Sequence, residues 1–128
     1  MKHFVQYHNT EKMGHRCDTG TDTLHVLTNK VVGDVRGDTV WLIAGDGKPR
    51  RYCLCEVFTV AEVGPSEDRR FTSEVTGTKG QQFRPPVPIG EEAWFSDFRI
   101  SQQNFRLGFN EIASRFVPEF ERLARRRR

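Results

Sequence analysis

The sequence predicts an α+β fold, a small mixed β-barrel with one C-terminal helix packed on it. Three observations carry that expectation. The stretch 37–63, GDTVWLIAGDGKPRRYCLCEVFTVAEV, reads as two consecutive strands joined by a glycine-rich, basic turn. A short opening strand at 3–8, HFVQYH, precedes it. Near the end, Ile112, Phe116, Phe120 and Leu123 recur at helical spacing, giving one apolar stripe to face the sheet.

The opening strand places Phe4, Gln6 and His8 on one face and Val5 and Tyr7 on the other, since side chains alternate along a strand. Neither face is purely apolar. A strand that carries Gln6 and His8 beside Phe4 suits the wall of a pocket, and it equally suits a solvated edge. Residues 9–22 lack periodicity and are rich in turn formers, so they read as a long loop. Leu24, Val26 and the pair Val31-Val32 mark a second element whose type the pattern leaves open.

Residues 40–44 form the next strand, and Gly45-Asp46-Gly47-Lys48-Pro49 is its turn, because glycine supplies positive φ and proline fixes the bend. Residues 52–63 return as a strand too long to stay flat, which favours curling round a barrel. A further strand is expected near 70–75, followed by an irregular segment at 76–90 punctuated by Gly77, Gly80, Pro85, Pro86 and Pro88. Trp94, Phe95 and Phe98 then crowd together. Asn110 with Glu111 offers an N-terminal cap for the final helix, which Pro118 should kink or divide.

One domain, residues 1–121, accounts for the periodic sequence, with 122–128 as a basic tail that composition allows to be either disordered or in contact with phosphates. At 128 residues with ten phenylalanines, the chain can bury roughly two-thirds of its unfolded surface. The net charge of +3 is misleading, because five arginines fall in the last seven residues. The other 121 residues carry 15 basic and 17 acidic side chains, a net of −2. An extended phosphate-binding face is therefore not expected on the body, and a local one is, at Lys48, Arg50 and Arg51.

No apolar run approaches the roughly 18 residues needed to span a bilayer, and the first residues do not read as a secretory signal. The expected setting is cytoplasmic, without a membrane. Three cysteines, an odd number, argue against a complete disulfide framework and fit a reducing compartment. Cys53 and Cys55, two apart in a strand, would share one face and fill a core. His8, His15, Cys17, Cys53 and Cys55 are of zinc-ligating type, but the one-residue gaps do not match common zinc ribbons, so neither metal nor cofactor is expected.

The order of elements resembles the PUA-like superfamily of small barrels, in its EVE and SRA-related branch. Residues 4–9, 37–43 and 52–63 carry the likeness, about half of the chain. The resemblance implies a module that binds RNA or reads a modified base in DNA, with a flipped nucleotide held at one end of the barrel. Such a base is held by stacking on an aromatic face and by hydrogen bonds to its edge. Tyr7, Trp41, Trp94 and Phe95 are the candidate stacking rings, with Trp94 the most exposed of them, although for each ring closing the core is the stronger reading. Gln6, His8, Asn9 and Asp97 are the candidate edge readers, with Asn9 also suited to a turn.

The expected function is thus a non-catalytic nucleic-acid-binding module that recognises a modified or flipped base. One alternative is an interaction or dimerisation domain using the aromatic segment and the terminal helix. A second is a hydrolase of modified nucleosides in which Cys17 is the nucleophile and His8 or His15 the base.

Overall fold

The computed structural model describes residues 1–10 and 23–126. Its elements are β1 (His3–Asn9), β2 (Leu24–Thr28), β3 (Thr39–Asp46), β4 (Arg51–Pro65), β5 (Ser73–Pro88), α1 (Phe95–Ser101), β6 (Asn110–Glu111) and α2 (Val117–Arg126). The strands form one mixed six-stranded sheet in the order β2-β5-β4-β3-β1-β6. β1 runs parallel to β3, and the other ladders are antiparallel. No described helix is long and apolar enough to cross a membrane.

The fold is α+β, and the sheet is open where a closed barrel was expected. Closure would need the outer strands β2 and β6 to pair, but β6 is two residues long and joins only Phe4 and Val5 of β1. Helices and loops cover the two faces instead. On one face Val5, Trp41, Ile43 and Leu54 pack against Phe95 and Phe98 of α1 and against Phe116, Phe120 and Leu123. On the other, Val40, Phe58, Val60, Val75 and Val26 form a second cluster closed by Phe109, whose ring stacks on Phe4 at 5.0 Å.

Several local expectations are corrected. Residues 76–90 are not irregular, because β5 runs through them to Pro88 and pairs with β4 along most of its length. Its glycines are places where β4 comes close: a Cβ on Gly80 would overlap the Val57 carbonyl oxygen and the Phe58 side chain. Residues 95–101 form α1, which the aromatic clustering alone did not reveal.

The last helix does not begin at Asn110, whose side-chain amide donates instead to Gln102 Oε1 at 3.1 Å while its backbone pairs with β1. A single turn at Ser114–Phe116 leads into α2. Pro118 therefore lies in the first turn, where a missing N–H is harmless, and starts the helix without kinking it. The stripe of Ile112, Phe116, Phe120 and Leu123 is buried as expected. α2 continues through Arg126, so the basic run begins inside a helix, with Arg122 paired to Glu92 at 3.0 Å and to Glu119 at 2.8 Å.

The cysteine expectation also changes. Leu42 pairs with Glu56 and Ile43 with Leu54, so Cys55 is the extra residue of a bulge. That bulge breaks the two-residue alternation, and Cys53 and Cys55 do not share a face by period. Cys53 is half-buried, whereas Cys55 is buried and disulfide-bonded.

Candidate nucleotide-binding cleft

A cleft of about 820 Å³ opens where the ends of β3 and β5, the start of β4 and the first turns of α1 meet. The β3–β4 turn supplies Arg50 to its wall, β4 supplies Arg51, Tyr52 and Cys53, and α1 supplies Phe95, Ser96 and Arg99. Thr10, just past β1, reaches the same space. The early polar strand and the late aromatic segment thus converge at one end of the sheet.

The cleft floor is aromatic. Tyr52 packs on Phe95 at 4.9 Å and on Phe105 at 5.9 Å, and Tyr7 stacks on Phe105 at 4.6 Å with the rings 6° from parallel. Phe105 reaches this position from a turn in which Gln103, Asn104 and Phe105 all have positive φ, of 50, 56 and 66°. Consecutive non-glycine residues rarely adopt that conformation, so packing must hold the turn.

Two guanidinium groups are held by phenols. Arg50 donates to the Tyr7 hydroxyl at 3.2 Å, and Arg99 donates to the Tyr52 hydroxyl at 3.3 Å while lying 5.7 Å from its ring centroid. A phenol takes one donor of a guanidinium and leaves its charge uncompensated, so the remaining N–H groups suit an anionic oxygen. Gly45 makes the first contact sterically feasible, because a Cβ there would overlap the Tyr7 hydroxyl and crowd Arg50. Carboxylates are present too, at Asp46, Glu91 and Glu92. Glu92 is engaged from α2 by Arg122 at 3.0 Å and Arg126 at 3.7 Å.

The residues singled out in the sequence separate into three groups. Tyr7, Arg50 and Arg51 meet at the cleft, with Tyr7 behind Arg50; Lys48 is exposed in the turn but outside the lining. His8 and Asn9 pair with Ala44 and Gly45 beside the cleft, and Gln6 lies further along the same strand. Most of the aromatic candidates pack inward. Trp41 and Phe95 are each 3% exposed, so Trp41 belongs to the core and Phe95 supports the cleft from below.

Trp41 Nε1–H donates to His3 Nδ1 at 3.0 Å, and burial, the largest influence on His3, lowers the pKa of that imidazole. Trp94, expected to be the most exposed ring, is half-buried against Phe120 at 5.1 Å and Phe98 at 6.1 Å, because it turns into the gap between α1 and α2. Asp97 is exposed on α1 and does not line the cleft. Cys17 and His15, named for the hydrolase and zinc alternatives, lie outside the described residues. Among the described residues no group of three His, Cys, Asp or Glu could hold a metal ion.

Tyr52 and Arg99 carry much of the cleft's chemistry and were not singled out, nor was Glu56, which is buried in the sheet outside the cleft lining. Glu56 had a visible signal, a lone acid inside the apolar run YCLCEVFTV. It is 5% exposed, accepts from Gln82 Nε2 at 3.1 Å through Oε1, and its Oε2 is enclosed without a partner. Burial pushes its carboxyl up to about 7, against the opposing pull of the Gln82 hydrogen bond, a backbone hydrogen bond from His25 and the charge of Arg84. No family model, curated protein or solved structure matches the chain.

Proposed function

We propose that this protein is a non-catalytic nucleic-acid-binding module that holds a nucleotide of a single strand, or a base flipped from a duplex, in the cleft beside Tyr52. The observation that carries the reading is the pair Arg50 and Arg99, held by tyrosine hydroxyls at 3.2 and 3.3 Å and so left with charge for a phosphate. Arg51 adds a third cation to the same wall. Tyr52 and Phe95 supply an aromatic floor, and stacking on such a surface is worth about 1–3 kcal/mol per base. The PUA-like kinship belongs to the same proposal: a mixed sheet with two long strands and a terminal helix is compatible with it, although the sheet is open.

Binding of fluorescein-labelled single-stranded octamers, read by anisotropy at low salt, tests the proposal. Arg51→Ala is expected to weaken every octamer by about three- to tenfold, as losing one phosphate contact does regardless of sequence. Wild-type protein that binds neither RNA nor DNA octamers, with or without modified bases, would end the reading.

A further inference from the structure

Two of the cleft arginines are brought to one face at one end of the sheet. The Tyr7 hydroxyl and the Arg50 Cδ both sit over Gly45, where an added Cβ would lie 2.8 Å from that Cδ. Gly45 is the ladder partner of Tyr52, and residues paired across an antiparallel ladder project to the same face. Arg50 therefore stands beside Tyr52, whose own hydroxyl holds Arg99 at 3.3 Å. The rings of Tyr7 and Tyr52 are 6.2 Å apart, so the pairs Tyr7–Arg50 and Tyr52–Arg99 are neighbours.

Arg51 is set differently. Its guanidinium folds toward Gly47, with Nη2 3.8 Å from where a Cβ would be, and Asp46 stands opposite it in the ladder. Opposite charges across a ladder attract, so part of the Arg51 charge is offset there.

The remaining lining is unsuited to a phosphate backbone that continues through the cleft. Pro86 and Pro88 have no N–H to offer an oxygen, and Glu91 and Glu92, in the segment between β5 and α1, carry the same sign as phosphate. A strand threading the cleft would carry its phosphates from the arginines onto these carboxylates. A strand that ends there presents its charge to the arginines.

We propose that the cleft binds the end of a strand, and that Arg50 and Arg99 together grip its terminal phosphate while Arg51 meets the next phosphate along. This rests on the nucleotide reading of the cleft and adds the ligand class, a phosphomonoester terminus. A terminal phosphate carries about −1.5 to −2 charge at pH 7 and one more unlinked oxygen than a singly charged phosphodiester. Two guanidinium groups, each with most of its N–H donors left after the bond to a phenol, match that extra charge and oxygen. The phenols aim both long side chains without neutralising them, which lowers the ordering cost of binding.

The test is a competition assay in which unlabelled octamers of one sequence, in RNA and DNA forms, displace an internally labelled octamer from the full chain. The competitors carry a 5′-phosphate, a 3′-phosphate or hydroxyls at both ends. One phosphorylated form should bind about tenfold tighter than the hydroxyl form, the scale of a charge-assisted hydrogen bond gained, and its identity tells which end enters. Arg51→Ala should weaken all three alike and keep that ratio. Arg99→Gln should reduce the ratio to about threefold or less, and so should Tyr52→Phe, which keeps the ring and removes only the hydroxyl that aims Arg99, with circular dichroism confirming both folds. Equal affinity for the three endings overturns this proposal alone, as does an advantage that survives intact in both variants. Failure of every octamer to bind, phosphorylated ones included, removes the nucleotide reading and this one with it.

Discussion

Glu56 makes stability itself pH-dependent. Its carboxyl titrates near 7 in the folded protein against an ordinary value of 4.5, so the native state keeps the proton longer than the unfolded chain does. The sign follows from that difference. Stability carries no Glu56 penalty below pH 4.5 and falls as pH rises toward 7, by up to about 3 kcal/mol. Glu56→Gln should keep the Gln82 hydrogen bond and melt higher than wild type at pH 8 but not at pH 4. Melting curves with an equal gap at both pH values would contradict the assignment.

Gly45 offers a second residue-level test. Gly45→Ala should displace the Tyr7 hydroxyl and Arg50, costing about 1–3 kcal/mol in denaturant unfolding and weakening octamer binding in parallel. Much at this scale was legible: the basic turn, Tyr7 and the mixed polarity of β1 all sit at or beside the cleft. What was hidden was the bulge at Cys55, because a bulge shifts the face of every later residue without altering the hydrophobic pattern before it. Tyr52 and Arg99 were hidden for another reason, as nothing local announces that residues 47 positions apart will share a hydrogen bond.

At the scale of elements, α2 is anchored by Phe120, which is fully buried and touches Phe98 at 5.0 Å, Trp94 at 5.1 Å and Trp41 at 5.3 Å. Phe120→Ala should cost about 3–5 kcal/mol in chemical denaturation, the usual loss for a buried ring that leaves a cavity. The stripe that buries Phe120 was readable from spacing, but the start of the helix was not. Asn110 looks like a cap in sequence, yet β1 recruits its backbone and Gln102 its side chain. β5 misled in the opposite sense. Its glycines and prolines signal interruption, whereas pairing with β4 imposes a strand and uses the glycines where the two backbones crowd.

Across the whole molecule, charge is local. The cleft wall offers Arg50, Arg51 and Arg99 among Asp46, Glu91 and Glu92, so binding should respond to salt as about two or three phosphate contacts do. A plot of log affinity against log salt for a single strand is expected to slope by about −2, at roughly 0.7 per phosphate. A slope beyond about −4 would mean that the arginines at the C-terminus join the contact.

The sheet also has two hydrophobic sides that share β3. Trp41 and Ile43 face the helices, while Val40 and Leu42 face the cluster closed by Phe109. Both tryptophans, Trp41 and Trp94, belong to the helical side. Intrinsic indole emission is therefore blind to the Phe109 side, and any event confined there, including rearrangement around Glu56, would pass unseen in a fluorescence melt and need a reporter placed near Phe58 or Phe109.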